Sequence, residues 1–280
     1  MESKDSSNVP YRFTHGEFDI TVVSDGFIAL PSDIIMPEAS AQDKRAILAR
    51  LGGGRTTAPM YTNIPVIRTG KEIVIVDTGS GSQFQDTAGA LEENLKRADI
   101  DPASVTKVIL THAHPDHMGG ILRDDGSLLF ANAEHLVNVD EWSFWQDDAL
   151  LAEGLRPFAA GARSNFAAIG ERLTMVAPGT ATINGIEIVS TPGHTGGHIS
   201  LSLEGGDGLL ITGDALTNPV VSFEHPDWRF GFDADHGTAV RTRRMLLDRF
   251  ARSSTKLLGY HWSYPGIGQV ERFGEAYSLV

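Results

Sequence analysis

The sequence predicts an α/β fold, a single domain in which sheets and helices lie in layers. Three observations lead there. Strand-like apolar runs recur along all 280 residues, helical stripes lie between them, and no Pro- or Ser-rich linker interrupts the alternation. A chain of this length admits one large domain or two ordinary ones. The unbroken interleaving favours one domain over residues 1–280, with about 1–16 as an N-terminal extension.

Taken in order, residues 18–23 form the first strand-like run, closed by the turn signal SDG (24–26). DKRAILARL (43–51) reads as a helix. A strand at 72–76 ends in DTG, and 86–98 sets Ala88, Leu91, Leu95 and Ala98 on one helical stripe. Strands are expected at 107–111 and 128–131. About 139–170 is an alanine-rich helical insertion whose Trp142, Phe144, Trp145, Phe158 and Phe166 give it an aromatic face. Further strands at 186–190, 199–203 and 209–212 border TPG and TGD turns. The last helix, 237–251, carries Val240, Leu247 and Ala251 on its stripe.

Composition narrows the function. With 41% hydrophobic and 21% charged residues and no long apolar run, the chain reads as globular, with no membrane partner. The opening MESKDSSNVPYRF has no basic stretch leading into an apolar one, so a cytoplasmic location is expected. The absence of cysteine excludes disulfides and thiolate chemistry, leaving metal binding to His, Asp and Glu. A net charge of −13 excludes a nucleic-acid partner, since phosphate binding needs clustered Lys and Arg. A small neutral substrate fits better.

One stretch stands apart. LTHAHPDHMGG (110–120) holds three of the ten histidines, His112, His114 and His117, together with Asp116. In extended chain, residues two apart point the same way, so His112 and His114 can address one ion together. Pro115 ends the regular strand, and Asp116 and His117 then project from a turn towards a neighbouring point. Two groups of ligands suggest two metals. His194 in STPGHTGGH, Asp214 in LLITGDAL and His261 in LLGYHWSYPG each follow an apolar run, where strand ends can converge on one edge of a sheet. Other motifs carry less. LGGGRTT (51–57) lacks the Lys-Ser/Thr of a phosphate loop. DTGSGSQF (77–84) has Phe84 where a dinucleotide fingerprint needs its third glycine. HPDW (225–228) lacks the remaining ligands and reads as a loop that can border a pocket, while His15, His135 and His236 read as surface or satisfied histidines. There is no Gly-x-Ser-x-Gly elbow for a serine nucleophile.

The order HxHxDH, GH, GD and a late His, with VDTG (76–79) ahead of it, resembles the metallo-β-lactamase superfamily from about residue 17 onward. The resemblance implies a four-layered αββα sandwich, two mixed sheets face to face with helices on the outer faces and metals at one edge. It implies that His112, His114 and His194 hold one divalent ion, that Asp116, His117 and His261 hold a second, and that Asp214 bridges both. Zn2+ is the expected ion, with Fe, Mn or Co as alternatives. Asp77 would orient the cluster through hydrogen bonds, and His198 would support the GHTGGH turn. Within the superfamily, SDG, GDAL (213–216), His261 followed by PGIG (265–268) and the Phe144–Trp145 segment are similar to the methyl parathion hydrolase-like branch beside the homoserine-lactone lactonases. That branch implies an aromatic substrate pocket, here Trp145 with Trp142 and Phe84, and a homodimer. The implied reaction is hydrolysis of a lactone, carboxylic ester or organophosphate triester by a metal-bridging hydroxide, with Asp116 and Asp214 catalytic. Alternatives are a glyoxalase II-like thioesterase, although its basic glutathione-binding residues are not evident, and an iron-dependent redox enzyme.

Overall fold

The computed structural model describes residues 9–151, 153–183 and 185–280. Strands β1 (Tyr11–His15), β2 (Phe18–Pro31), β3 (Thr57–Thr69), β4 (Glu72–Val76), β5 (Lys107–Ile109), β6 (Glu134–Asn138) and β7 (Leu173–Val176) form one sheet in chain order. The first four pair antiparallel, and β4 through β7 pair parallel. Two-residue loops starting at Gly16 (φ 54°) and Gly70 (φ 57°) make the β1–β2 and β3–β4 hairpins. The second sheet runs β13-β12-β11-β10-β9-β8. Its strands are β8 (Ala181–Ile183), β9 (Ile186–Ser190), β10 (Ile199–Leu203), β11 (Leu209–Gly213), β12 (Lys256–Gly259) and β13 (Ile267–Gly268). Only β11 and β12 pair parallel there, so both sheets are mixed. A hairpin of β14 (Val270–Phe273) and β15 (Ala276–Leu279) follows.

Helices α1 (Ser32–Ile35) and α2 (Ala41–Arg50) come between β2 and β3. Next are α3 (Leu91–Arg97), α4 (Pro115–Met118), α5 (Val139–Gln146) and α6 (Arg156–Ile169), then α7 (Val221–Glu224) and α8 (His236–Phe250). Strand alternation sorts the apolar residues into layers. Val74 and Val76 face inward with Ile20 and Ile109 and meet Ile188, Leu201, Ile211 and Leu258 of the second sheet. Ile75, pointing the other way, packs with Val108 and Val137 against Leu91 and Leu95 of α3 and Ala162 and Phe166 of α6. Leu210 and Leu257 pack against Leu246, Leu247 and Phe250 of α8. The result is the αββα sandwich expected. No described helix is long and apolar enough to cross a membrane.

Several local expectations are corrected. Residues 11–15 of the supposed N-terminal extension are the edge strand β1, whereas 1–8 lie outside the described residues. The third helix begins at Leu91, because the chain turns through Gly89 at φ 88°. Of residues 128–131, Leu128 forms only an isolated bridge to Leu122 and 129–131 are turns; Leu129 and Phe130 are apolar because they fill the core, and a short apolar run does not distinguish that from a strand. The long β3 contains Pro59 and Pro65. Both lie where β3 pairs only with β2, since β4 covers only Val66–Thr69, so the missing N–H groups interrupt no shared ladder.

His135 departs most from expectation. It is fully buried in β6, and neither ring nitrogen has a partner. His236 likewise has a buried Nδ1 without a partner, while His15 Nε2 lies 3.3 Å from the Leu203 carbonyl. Burial lowers the His135 pKa to about 4. The unfolded chain therefore takes up this proton below about pH 6.5 and the folded chain only near 4, so His135 costs stability as pH falls through that window. His135→Leu should gain about 2 kcal/mol over the parent between pH 7.5 and pH 5. Urea unfolding at the two pH values measures it, and a pH-independent difference would show that the ring is not held neutral.

Candidate metal centre

The site forms where several strands of the two sheets end. β4 ends at Val76, and Asp77 follows in a left-handed conformation (φ 64°). Its Oδ1 accepts from the Thr111 N–H (2.7 Å), and its Oδ2 accepts from Thr111 Oγ1 (2.7 Å) and from His117 Nδ1–H (2.8 Å). Beyond β5 the chain bends at Thr111 and is extended at His114 (φ −66°, ψ 155°). Pro115 then opens the single turn of α4, where a missing N–H costs nothing. That turn carries Asp116 and His117. A Cβ on Gly119 would lie 2.3 Å from Ser80 O, and one on Gly120 would lie 2.0 Å from Thr78 O. The glycine pair thus lets the motif pack onto the loop after β4. His194 comes from the β9–β10 loop, Asp214 from the end of β11 and His261 from the end of β12.

All seven side chains are buried and converge. His114 Nδ1 lies 3.0 Å from His112 Nε2 and 2.8 Å from His194 Nε2. On the other side, His261 Nε2 is 3.3 Å from both Asp116 Oδ2 and Asp214 Oδ2, and His117 Nε2 is 3.3 Å from Asp214 Oδ1. Asp214 Oδ2 is also 3.3 Å from His194 Nε2, placing this carboxylate between the two groups. Three sets have ligand spacing: His112–His114–His194, His112–His117–Asp214 and Asp116–His117–His261.

Hydrogen-bond roles show which atoms face inward. Thr111 Oγ1 gives its proton to Asp77, so it accepts from His112 Nδ1–H at 3.1 Å. His117 Nδ1–H is held by Asp77, His194 Nδ1–H by Asp233 Oδ1 (3.2 Å) and His261 Nδ1–H by the Tyr61 carbonyl (2.8 Å). Three of these Nε2 atoms, on His117, His194 and His261, lie 3.3 Å from a carboxylate oxygen, and His112 Nε2 lies 3.0 Å from His114 Nδ1. His117 Nε2 and Asp214 Oδ1 are both buried without a donor. Cations suit this donor set. The carboxylates draw positive charge, a proton or a metal ion, to the imidazoles facing them. Burial opposes charge on His117 and His261, yet the surrounding carboxylates hold His117 well above its usual value and His261 at about 9. Burial also opposes charge on Asp116, but His117 and His261 bring it down to about 2, and His261 and His117 hold Asp214 well below the usual range. Burial, then neighbouring imidazoles, keep His112 and His114 far below theirs, the neutral state a ligand needs.

His198 uses both nitrogens elsewhere. Its Nδ1–H donates to the Thr191 carbonyl (3.1 Å), and its Nε2 accepts the Asp214 backbone N–H (2.9 Å). Burial lowers its pKa to about 3, so the accepting nitrogen stays unprotonated. Asp77 tolerates one informative change, because Asn also accepts a left-handed backbone. Asp77→Asn replaces a carboxylate oxygen by an NH2 that cannot accept. It should weaken metal binding about 10–100-fold with the fold retained. Competition against a chromophoric chelator checks this; unchanged affinity would make Asp77 purely structural.

Sequence reasoning missed three buried supports. Glu141 accepts from Ala113 N–H, Trp145 Nε1–H, Thr195 Oγ1–H and Gly197 N–H. Asp233 holds His194 and is itself held by Arg243. Tyr260 stacks on His117 with ring centroids 3.9 Å apart and donates to the Asp116 carbonyl (2.6 Å). The alternating aromatics of RFGFD (229–233) were the available signal for Asp233 and its neighbours.

Above the cluster lies a cavity of about 240 Å³. His114, Asp116, His194, Asp214 and His261 line it, with Ile28, Leu30, Phe84, Phe158, Phe230 and Phe232 as apolar wall. Phe84 thus lies where the sequence put it, but Trp142 and Trp145 do not. Helix periodicity turns Glu141, Phe144 and Trp145 inward, and Trp145 is wholly buried with its ring edge against His114, 5.6 Å between centroids. Trp142 is half-buried against the same core. HPDW does not line the cavity either: His225 and Trp228 stack on each other, 3.7 Å between centroids.

Comparison with known proteins agrees with this architecture. Metallo-beta-lactamase domain-containing protein 1 of Xenopus laevis is 36% identical over 149 residues, 53% of this chain and 48% of its own length. The chain thus spans about half the length of that curated relative. Among solved structures, AidC, a dizinc quorum-quenching lactonase, superposes with a TM-score of 0.90 at 24% identity, over 97% of each chain. AbOPH, a hydrolase of the beta lactamase superfamily, gives 0.87 at 28% identity, also over 97% of each. The family model of the metallo-beta-lactamase superfamily matches residues 57–261, a span that contains all seven clustered side chains, and the chain belongs to that superfamily.

Proposed function

We propose that this chain is a dinuclear metal-dependent hydrolase of small neutral ester-type substrates: a lactone, a carboxylic ester or an organophosphate triester. The observation that carries the reading is the convergence of five buried histidines, His112, His114, His117, His194 and His261, on Asp116 and Asp214 at the floor of an apolar cavity. His112, His114 and His194 would hold one ion, Asp116, His117 and His261 the other, and Asp214 would contact both. Bound divalent ions, zinc first and Fe, Mn or Co as alternatives, would supply an acidified water and an electrophilic contact for the scissile carbonyl or phosphoryl oxygen.

The protein's own groups supply the rest. Asp116 lines the cavity, where its carboxylate can relay a proton between the attacking water and the leaving oxygen. Phe158, Phe230 and Phe232 exclude bulk water and strengthen the electrostatics beneath them. Among the described residues no Lys or Arg lines the cavity, which favours a neutral substrate over a glutathione thioester. The likeness to a dizinc lactonase is in keeping with this.

The test is a panel of lactones, aryl esters and phosphotriesters given to metal-stripped and zinc-reconstituted protein. Turnover of at least one group that disappears on chelation and returns with metal is expected. Two bound ions per chain with no turnover across the panel would overturn the reading.

A further inference from the structure

We propose that Asp25 is a positioning residue for substrate binding: its carboxylate closes the neck of the loop 81–88 and so fixes Phe84 and Gln85 as one wall of the cavity above the cluster. The inference rests on the hydrolase reading above for its kinetic consequence, and deepens it by naming what holds that wall in place. Asp25 is wholly buried where β2 bulges between Ser24 and Phe27. Its Oδ2 accepts from Ser80 N–H (2.8 Å) and Gly89 N–H (3.1 Å), and its Oδ1 accepts from Leu91 N–H (2.8 Å). One oxygen thus holds the residues on either side of the loop. Burial raises the Asp25 pKa to about 6, so at pH 8 the group is ionised and accepts at both oxygens.

Between these anchors the chain makes only turns and an isolated bridge from Ala88 to Gly26. Its return limb lies on β2, where Phe27 N–H donates to Thr87 O (2.9 Å) and Ala29 N–H donates to Gln85 Oε1 (2.8 Å). Phe84 and Gln85 both line the cavity, and Phe84 is 37% exposed. A ring that open gains little from packing, so its place depends on the backbone that carries it. Two glycine motifs meet at the neck. A Cβ on Gly79 of DTGSG would lie 2.5 Å from Asp25 Cγ, and one on Gly26 of SDG would lie 2.2 Å from Thr87 O. Both glycines are therefore explained by the approach of the loop to Asp25 and its bulge. Asp25 makes none of its hydrogen bonds to a proposed metal ligand, so its effect on turnover runs through the loop.

Asp25→Asn keeps the size and one acceptor oxygen, but sets an NH2 against an N–H on one side of the neck. In the zinc-loaded protein at pH 8 it should raise KM for the best substrate of the panel about 5–30-fold, with kcat within about threefold and both ions retained. Phe84→Ala should do the same. The double variant should exceed the larger single effect by less than about twofold, because both changes remove one wall. Hydrogen exchange reads the neck without turnover. In the parent, the amides of Ser80, Gly89 and Leu91 should exchange at least about tenfold more slowly than those of 82–87. Asp25→Asn should erase most of that difference, and Phe84→Ala should leave it. Multiplying KM effects in the double variant, a loss confined to kcat, a lost ion, or fast exchange at the three neck amides of the parent would overturn the assignment. If no substrate turns over while exchange at the neck still depends on Asp25, the hydrolase reading fails and the closure of the loop by Asp25 stands.

Discussion

Asp214→Ala should bind at most one divalent ion per chain and lose at least about a thousandfold in hydrolase activity. The carboxylate reaches both halves of the cluster, with Oδ1 3.3 Å from His117 Nε2 and Oδ2 3.3 Å from both His194 Nε2 and His261 Nε2. Its position is fixed twice over. Gly213 turns the chain at φ 50° as β11 ends, and the Asp214 N–H is tied to His198 Nε2. Among the described residues, removal leaves Asp116 as the remaining carboxylate facing His117 Nε2 and His261 Nε2, so the charge that would balance a second ion is halved. His198→Ala is the useful contrast: it loosens the turn and leaves every proposed ligand in place, so a smaller loss with both ions retained is expected. Metal content per chain and kcat on the best substrate of the panel give the answer. An Asp214→Ala protein with two ions and full activity would remove the basis for the dinuclear reading.

The parts of the site legible in the sequence are those where chemistry and chain geometry coincide. His112 and His114 stand two apart in extended chain and Pro115 opens α4, so the cluster declares its shape within six residues. His194, Asp214 and His261 are legible because each follows an apolar strand. Glu141 and Asp233 were not, since an acidic residue on a helix or in a loop reads as solvated until its partners are known. Trp145 and Phe158 show the opposite error. Both lie in the same aromatic segment, and only the packed register of α5 and α6 decides that the tryptophan backs His114 while the phenylalanine faces the cavity. The two prolines of β3 are tolerated because β4 covers only Val66–Thr69, and strand coverage is a tertiary fact.

Glu141→Ala should be the most destabilising single change near the site, although Glu141 is none of the proposed ligands. Its Oε1 accepts from Ala113 N–H (2.9 Å) and Trp145 Nε1–H (2.7 Å), its Oε2 from Thr195 Oγ1–H (2.6 Å) and Gly197 N–H (3.1 Å). One buried carboxylate therefore joins the HAH segment, α5 and the GHTGG loop. The approach is so close that a Cβ on Gly197 would come within 1.9 Å of Glu141 N, which accounts for glycine there. Alanine would strand three buried N–H donors at about 1–3 kcal/mol each, a total of about 3–6 kcal/mol once water enters the space. A fall in melting temperature of about 10 °C or more follows for a chain of this size. With the two histidine-bearing loops uncoupled, metal affinity should also drop about 10–100-fold. Glu141→Gln separates the two effects, because one amide oxygen still serves two donors while the NH2 faces the other pair. It should lose roughly half as much stability and keep more of the metal affinity. Calorimetry of the metal-free proteins and chelator competition of the loaded ones measure these quantities independently. If the alanine variant melts within about two degrees of the parent, the four contacts do not carry the load assigned to them.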